Sequence, residues 1–152
     1  GNVSGLEFSF QHMFERYPIG ITFNYTYISG GDVDIKRNYI GEQFILPGLG
    51  DAGNLSVFFE NEKHTFRVAL NHRGETVAGF GNYDHPLYVE ERNQWDASYQ
   101  YRFTMGRALT TLYLEVSNLT DEPTRLYARY PEMLFLSQDH GPIYKLGFRT
   151  NF

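Results

Sequence analysis

No cysteine occurs in the chain. Disulfide scaffolds, thiolate zinc sites, iron–sulfur clusters and cysteine nucleophiles are therefore excluded together. Long hydrophobic runs are also missing, and nothing approaches the ~18 to 20 consecutive apolar residues of a membrane-spanning helix. Positive charge is in short supply, with 13 Lys and Arg against 18 Asp and Glu, a net charge of −5 and an isoelectric point near 5.5. That balance argues against a nucleic-acid partner. What the chain does have is aromatic rings: 17% of its 152 residues, as 13 Phe, 12 Tyr and one Trp. This share is about twice the ordinary one and argues against disorder. Hydrophobic residues reach 41%, yet the mean hydropathy is −0.43. Such a chain is either soluble or a membrane protein of the barrel kind. Its length allows one domain or a piece of a larger one. It begins Gly1-Asn2-Val3 without a signal-peptide pattern, so a mature or excised fragment is expected.

The dominant period is two rather than 3.6. Leu6, Phe8, Phe10 and Phe14 alternate with Glu7, Ser9, Gln11 and Met13. Ile19, Ile21, Phe23, Tyr25 and Tyr27 alternate with Gly20, Thr22, Asn24 and Thr26. The same pattern sets Leu55, Val57 and Phe59 against Ser56 and Phe58, and Phe66, Val68 and Leu70 against Arg67 and Asn71. It returns with Trp95, Ala97, Tyr99, Tyr101 and Phe103, then with Leu112, Leu114 and Val116, and last with Tyr144, Leu146, Phe148 and Phe152. These predict seven strands, each about 7 to 11 residues long. Short turns fall near Arg16-Tyr17-Pro18, at Asn61-Glu62-Lys63 and at Thr104-Met105-Gly106-Arg107. The other connections are long: roughly Gly30 to Gly53, Gly74 to Asn93 and Asn118 to Pro142. Strict alternation of short and long connections places all short turns at one end of an antiparallel meander. That is the loop asymmetry of outer-membrane barrels.

The strand faces fit the same reading. One face is aromatic and aliphatic; the other carries Glu7, Gln11, Asn24, Arg67, Asn71, Asp96, Gln100, Arg102, Glu115, Lys145 and Arg149. Strands of ~9 to 11 residues cross a bilayer at a tilt. Phe14, Tyr17, Tyr27, Phe59, Trp95, Phe103 and Phe152, near strand ends, suit interfacial girdles. Alternation alone does not say which face is inside, so a soluble β-barrel holding an apolar ligand stays open beside the membrane reading.

Five segments, in order, carry a resemblance. They are Leu46-Pro47-Gly48-Leu49 running through Gly53-Asn54-Leu55-Ser56, then Phe66 to Arg73, then Trp95 to Phe103, then Glu115-Val116-Ser117-Asn118-Leu119-Thr120-Asp121-Glu122-Pro123, then Gly141 to Phe152. Together they resemble the C-terminal part of a TonB-dependent outer-membrane receptor, over nearly the whole chain. The resemblance implies a 22-stranded barrel around an N-terminal plug. It implies active import of a scarce nutrient, such as a carbohydrate or ferric siderophore, across the outer membrane of a Gram-negative bacterium. Residues 1–152 would then supply about the last seven strands, with the plug domain, the TonB box and the earlier strands absent. Partners follow: the TonB complex through the absent plug, outer-membrane lipid, and the barrel-assembly machinery. The last would read Tyr144, Leu146, Phe148 and the terminal Phe152. No enzyme activity, cofactor or metal is expected on this reading.

Other motifs are weaker. Gly48-Leu49-Gly50-Asp51-Ala52-Gly53 matches G-x-G-x-x-G but is followed by a strand pattern, not the helix a pyrophosphate site needs. Asp32-Val33-Asp34 opens like a calcium loop, but Arg37 and Gln43 stand where Gly and Glu belong. Asp84-His85 and Asp139-His140 lie in two predicted outer loops and would share a ligand only if those loops meet. The pattern G-x-S-x-G is absent. Ligand contact in a receptor should come from the long connections, where tyrosine faces stack on sugars and charged groups hydrogen-bond. The candidates are Asp32, Asp34, Arg37, Tyr39, Tyr83, Asp84, Arg125, Tyr127 and Arg129. A smaller outer-membrane barrel with a structural role is the remaining alternative. Seven strands leave two open edges, costly in lipid, so an isolated monomeric barrel is not expected.

Overall fold

The structure is a computed structural model that describes residues 3–30, 48–80 and 86–151. It is all-β and antiparallel. The strands are β1 (Val3–Met13), β2 (Ile19–Gly30), β3 (Ala52–Glu60), β4 (His64–Arg73), β5 (Thr76–Phe80), β6 (Pro86–Val89), β7 (Arg92–Met105), β8 (Ala108–Ser117), β9 (Thr124–Ala128), β10 (Leu134–Gln138) and β11 (Ile143–Asn151). Seven of them form one sheet in the order β1-β2-β3-β4-β7-β8-β11. These are the seven strands that the period-two pattern predicts, although β2 and β7 run to 12 and 14 residues, past the expected length.

The remaining four strands correct the sequence reading. Residues 74–93 and 118–142 are not simply loops, because they hold a second sheet in the order β10-β9-β6-β5. Its strands have only four or five residues, too few turns of a period-two pattern to stand out. Pro86 and Gly79 weaken the signal further, Pro86 being tolerated as the first residue of its strand. The second sheet continues the first. Arg73 pairs with Arg92 in one, and Thr76 pairs with Val89 in the other. The register is therefore kept across the break at Gly74-Glu75 and Glu90-Glu91. The order β5-β6-β9-β10 also repeats the order β4-β7-β8-β11 of the strands that feed it. The short sheet is an outer tier built on four strands of the long one.

Short turns join the strands at the opposite end. Met105 pairs with Ala108 across a two-residue loop, and Gly106 takes φ 66° there, which only glycine adopts without cost in a II′ turn. Asn61 Oδ1 accepts the amides of Lys63 and His64 at 2.9 and 2.7 Å, an Asx turn that sets the β3–β4 register.

Register aligns the apolar positions into rows. One row runs Phe10, Phe23, Leu55, Leu70, Trp95. The next runs His12, Ile21, Val57, Val68, Ala97, Val116, Tyr144. A third runs Ile19, Phe59, Phe66, Tyr99, Leu114, Leu146. All lie on one face of the sheet. That face stays open: Phe8 is 58% exposed, Leu146 74% and Phe148 75%. Among the described residues the only buried hydrophobic side chains are Ala108 and Tyr127. A soluble sheet buries such a face, because each large apolar side chain left in water forgoes about 1.5–3 kcal/mol. On β7 and β8, Gln94, Asp96, Tyr113 and Glu115 are half-buried while Trp95, Leu112 and Leu114 are exposed, although Ala108 and Thr110 near the turn, on the apolar side, are buried. At three glycines of the long sheet, a ring from the next strand lies over the backbone. Phe58 covers Gly20, Tyr25 covers Gly53 and Tyr113 covers Gly147, pinning register as cross-strand aromatic–glycine pairs do. Among the described residues β1 pairs only with β2 and β11 only with β8, so the sheet is open at both edges.

Candidate functional site

The polar face of the long sheet carries a continuous hydrogen-bonded ladder. Asn54 on β3 donates through Nδ2 to Asn71 Oδ1 on β4. Asn71 Nδ2 donates to Asp96 Oδ2 on β7 at 2.9 Å. Gln94 Nε2 donates to Asp96 Oδ1 at 2.8 Å, and Arg92 Nη2 donates to Gln94 Oε1 at 2.8 Å. The backbone amide of Asn118 adds a 2.9 Å bond to Asp96 Oδ1. Asp96 thus receives three donors and is held rigidly. The ladder exists because period-two alternation puts Asn54, Asn71, Gln94 and Asp96 on one face, and register puts them side by side.

Beside the ladder lies an open hollow of about 600 Å³, bordered by Asn24, Thr26, Asn54, Asn71, Arg73 and Arg92. Its floor is set by Ala52 and the Gly53 backbone, and the small Ala52 side chain leaves room between Thr26 and Arg73 on either side of it. Asn24 pairs with Asn54, which pairs with Asn71, giving a row of amides. One step toward the outer tier, Thr26, Ala52, Arg73 and Arg92 form the next row. Amide and guanidinium side chains beside an open hollow are the groups that bind hydroxyls and oxyanions.

The Asn118-Leu119-Thr120-Asp121-Glu122-Pro123 stretch forms the corner between β8 and β9. Asn118 is 5% exposed with φ 58°, a left-handed conformation that asparagine tolerates better than most residues. Its Oδ1 accepts the Glu122 amide at 2.9 Å, and its Nδ2 donates to the Glu122 and Gly141 carbonyls. Leu119 N donates to Trp95 O at 2.7 Å. The segment therefore ties the end of β8 to β7 and to the approach of β11. Asp121 faces Asp139 across this corner, and the neighbouring negative charge pushes its carboxyl above the ordinary range.

Three of the nine candidate ligand residues lie in the described part. Tyr127 is 7% exposed, stacks on Tyr88 with centroids 5.2 Å apart, and donates its hydroxyl to Glu75 Oε2. Burial, then the Glu75 bond, raises its pKa far above the ordinary tyrosine value. Its ring and hydroxyl are engaged within the outer tier. Arg125 pairs with Glu90 at 3.1 Å, and Arg129, at φ 61°, lays its guanidinium over the Tyr130 ring at 5.1 Å. The fold does not bring these three to the polar-face hollow, whose border they do not join. Asp32, Asp34, Arg37, Tyr39, Tyr83 and Asp84 lie outside the described residues, as do His85 and Phe152. Tyr144, Leu146 and Phe148 are 66%, 74% and 75% exposed on edge strand β11. The glycine-rich stretch from Gly48 runs straight into β3, so no helix N-terminus follows it.

Arg73, Arg92, Asn54 and Gln94 were not among the sequence candidates. Their alternation is legible, but the hollow depends on which residues of β2, β3, β4 and β7 stand opposite, and only register gives that. Set against protein-family models, curated proteins and solved structures, the chain matches none.

Proposed function

We propose that the chain is the C-terminal wall of an outer-membrane β-barrel, and that the barrel is a TonB-dependent transporter importing a scarce carbohydrate or ferric siderophore. One observation carries the reading: the large apolar side chains of seven strands form in-register rows on a single exposed face, with almost no hydrophobic core among the described residues. Lipid is the solvent in which such a face is stable. The half-buried polar ladder on the opposite face suits a wetted barrel interior. Two open edges support the further step that more strands complete the barrel to 22, since unpaired edges are costly in a bilayer. The plug and TonB contact belong to parts of the polypeptide outside residues 1–152. The five sequence segments supply the family.

The chain has no cysteine, which makes cysteine scanning clean within it. Single cysteines at Leu112, Tyr113, Leu114 and Glu115 of β8, spin-labelled in outer-membrane vesicles, should alternate between access to lipid-soluble oxygen and to a water-soluble nickel relaxant. Leu112 and Leu114 should see lipid. Uniform access to the nickel relaxant would sink the membrane reading. Uptake of labelled oligosaccharide or ferric chelate that is lost on deleting the gene and on deleting TonB would support the transport step; uptake indifferent to both deletions would sink it.

A further inference from the structure

The polar face places Arg73 directly opposite Arg92 on the neighbouring strand. Like charges in directly opposed positions destabilise a sheet unless something neutralises them. Among the described residues no carboxylate forms an ion pair with either: the ion pairs join Arg102 to Glu60, Arg125 to Glu90 and His72 to Glu91. The nearest acid in the same row is Glu7, three strands from Arg73, a backbone separation of about 14 Å. Between them lies the hollow, open because Ala52 fills the intervening position. Gln94 holds the Arg92 guanidinium at 2.8 Å and is itself anchored on Asp96. The Arg92 Nε is buried and has no hydrogen-bond partner among the described residues, so the Nη atoms are the donors left to face the hollow. Arg73 and Arg92 both border the hollow, and so do Asn24, Asn54 and Asn71.

We infer that this hollow is a binding subsite for a small polyhydroxylated anion, a sugar acid or its oligomer, whose carboxylate neutralises the Arg73–Arg92 pair. A carboxylate offers two oxygens to the planar donor forks of arginine, which lysine does not reproduce. The amide row offers donors and acceptors at the spacing of neighbouring strands, about 4.8 Å, which suits successive hydroxyls. A neutral sugar satisfies the amides but leaves the two guanidinium groups unneutralised. The inference deepens the transporter reading by giving the chemistry of what the wall contacts.

The test uses the natural full polypeptide in outer-membrane vesicles, with radiolabelled digalacturonate as probe and lactose as its neutral counterpart, in equilibrium dialysis at low and at physiological salt. Digalacturonate should bind, weaken with salt, and weaken a further ten- to hundredfold, roughly, in the R73Q/R92Q double variant. R73K/R92K keeps the charge and loses the fork, and should fall between. Lactose binding should be unchanged by either variant. Heat-modifiable gel mobility of each variant reports that the barrel is folded. Equal binding of acid and neutral sugar, undiminished acid binding in a folded R73Q/R92Q protein, or no acid binding by the unsubstituted protein overturns the inference. A polypeptide that binds the acid but fractionates with soluble proteins would retain the subsite and lose the transporter. One embedded in the membrane but indifferent to the acid would lose only the subsite.

Discussion

Val68→Arg tests the orientation of the sheet. Val68 stands in the middle of β4, between Val57 and Ala97, on the apolar face. Polar-tipped rings mark the ends of that face on the same strand, at His64 and His72. The stretch between them spans about 27 Å of strand at ~3.4 Å per residue. A tilt of about 40° reduces it to roughly 20 Å along the membrane normal, close to the ~25 Å apolar band of outer-membrane barrels. Val68 bisects that span and so lies near the bilayer midplane, where a lipid-facing arginine costs about 2–4 kcal/mol. Gln100→Arg is the control. It sits on the polar face of the adjacent strand, opposite Thr65, and should cost no more than about 0.5 kcal/mol. Both variants of the full polypeptide are folded into phosphatidylcholine vesicles and titrated with guanidinium chloride, with the folded fraction read from gel mobility. A gap of about 3 kcal/mol is more than a hundredfold in the folding equilibrium. Equal losses, or a larger loss for Gln100→Arg, would refute the placement of lipid against the aromatic face.

Three further outcomes are expected. Asn118→Ala leaves the Glu122 amide without its partner and puts alanine at a positive φ; it should destabilise the β8–β9 corner by about 2–4 kcal/mol, seen as faster hydrogen exchange across residues 118–123. Tyr127→Phe removes the hydroxyl bond to Glu75 and should loosen the outer tier alone, by about 1–3 kcal/mol. Because the folded tyrosine value is raised, its contribution is full below the ordinary tyrosine range near pH 10 and is lost as pH climbs above it; the phenylalanine variant should lack that alkaline loosening of β9, and retaining it would count against the assignment. Asp121 is raised by Asp139, so the corner is tightest at acid pH and loosens as pH rises through the folded value. Asp121→Asn should therefore slow exchange at residues 118–123 at pH 7, with the difference closing toward pH 4. Faster exchange at pH 7 would contradict it.

The seven long strands and the division of their faces are properties of the sequence alone, because side-chain direction in a strand alternates with a period of two whatever its neighbours are. Runs such as Ile19 to Tyr27 and Trp95 to Phe103 are long enough for that period to stand out. The short turns are equally local, resting on Gly106 and Asn61. The outer tier is different: Thr76–Phe80 and Pro86–Val89 are too short to announce themselves, and they become strands because the β4–β7 register carries on beyond Arg73 and Arg92. The tier also sets the surroundings of Tyr127, whose ring stacks on Tyr88 and whose hydroxyl bonds Glu75, neither of which its residue type states. The hollow is a tertiary decision as well. Arg73 and Arg92 lie far apart along the chain, and Ala52 opens a space only because it stands between Thr26 and Arg73. Local alternation states which way a side chain points; only the pairing of strands states what it points beside.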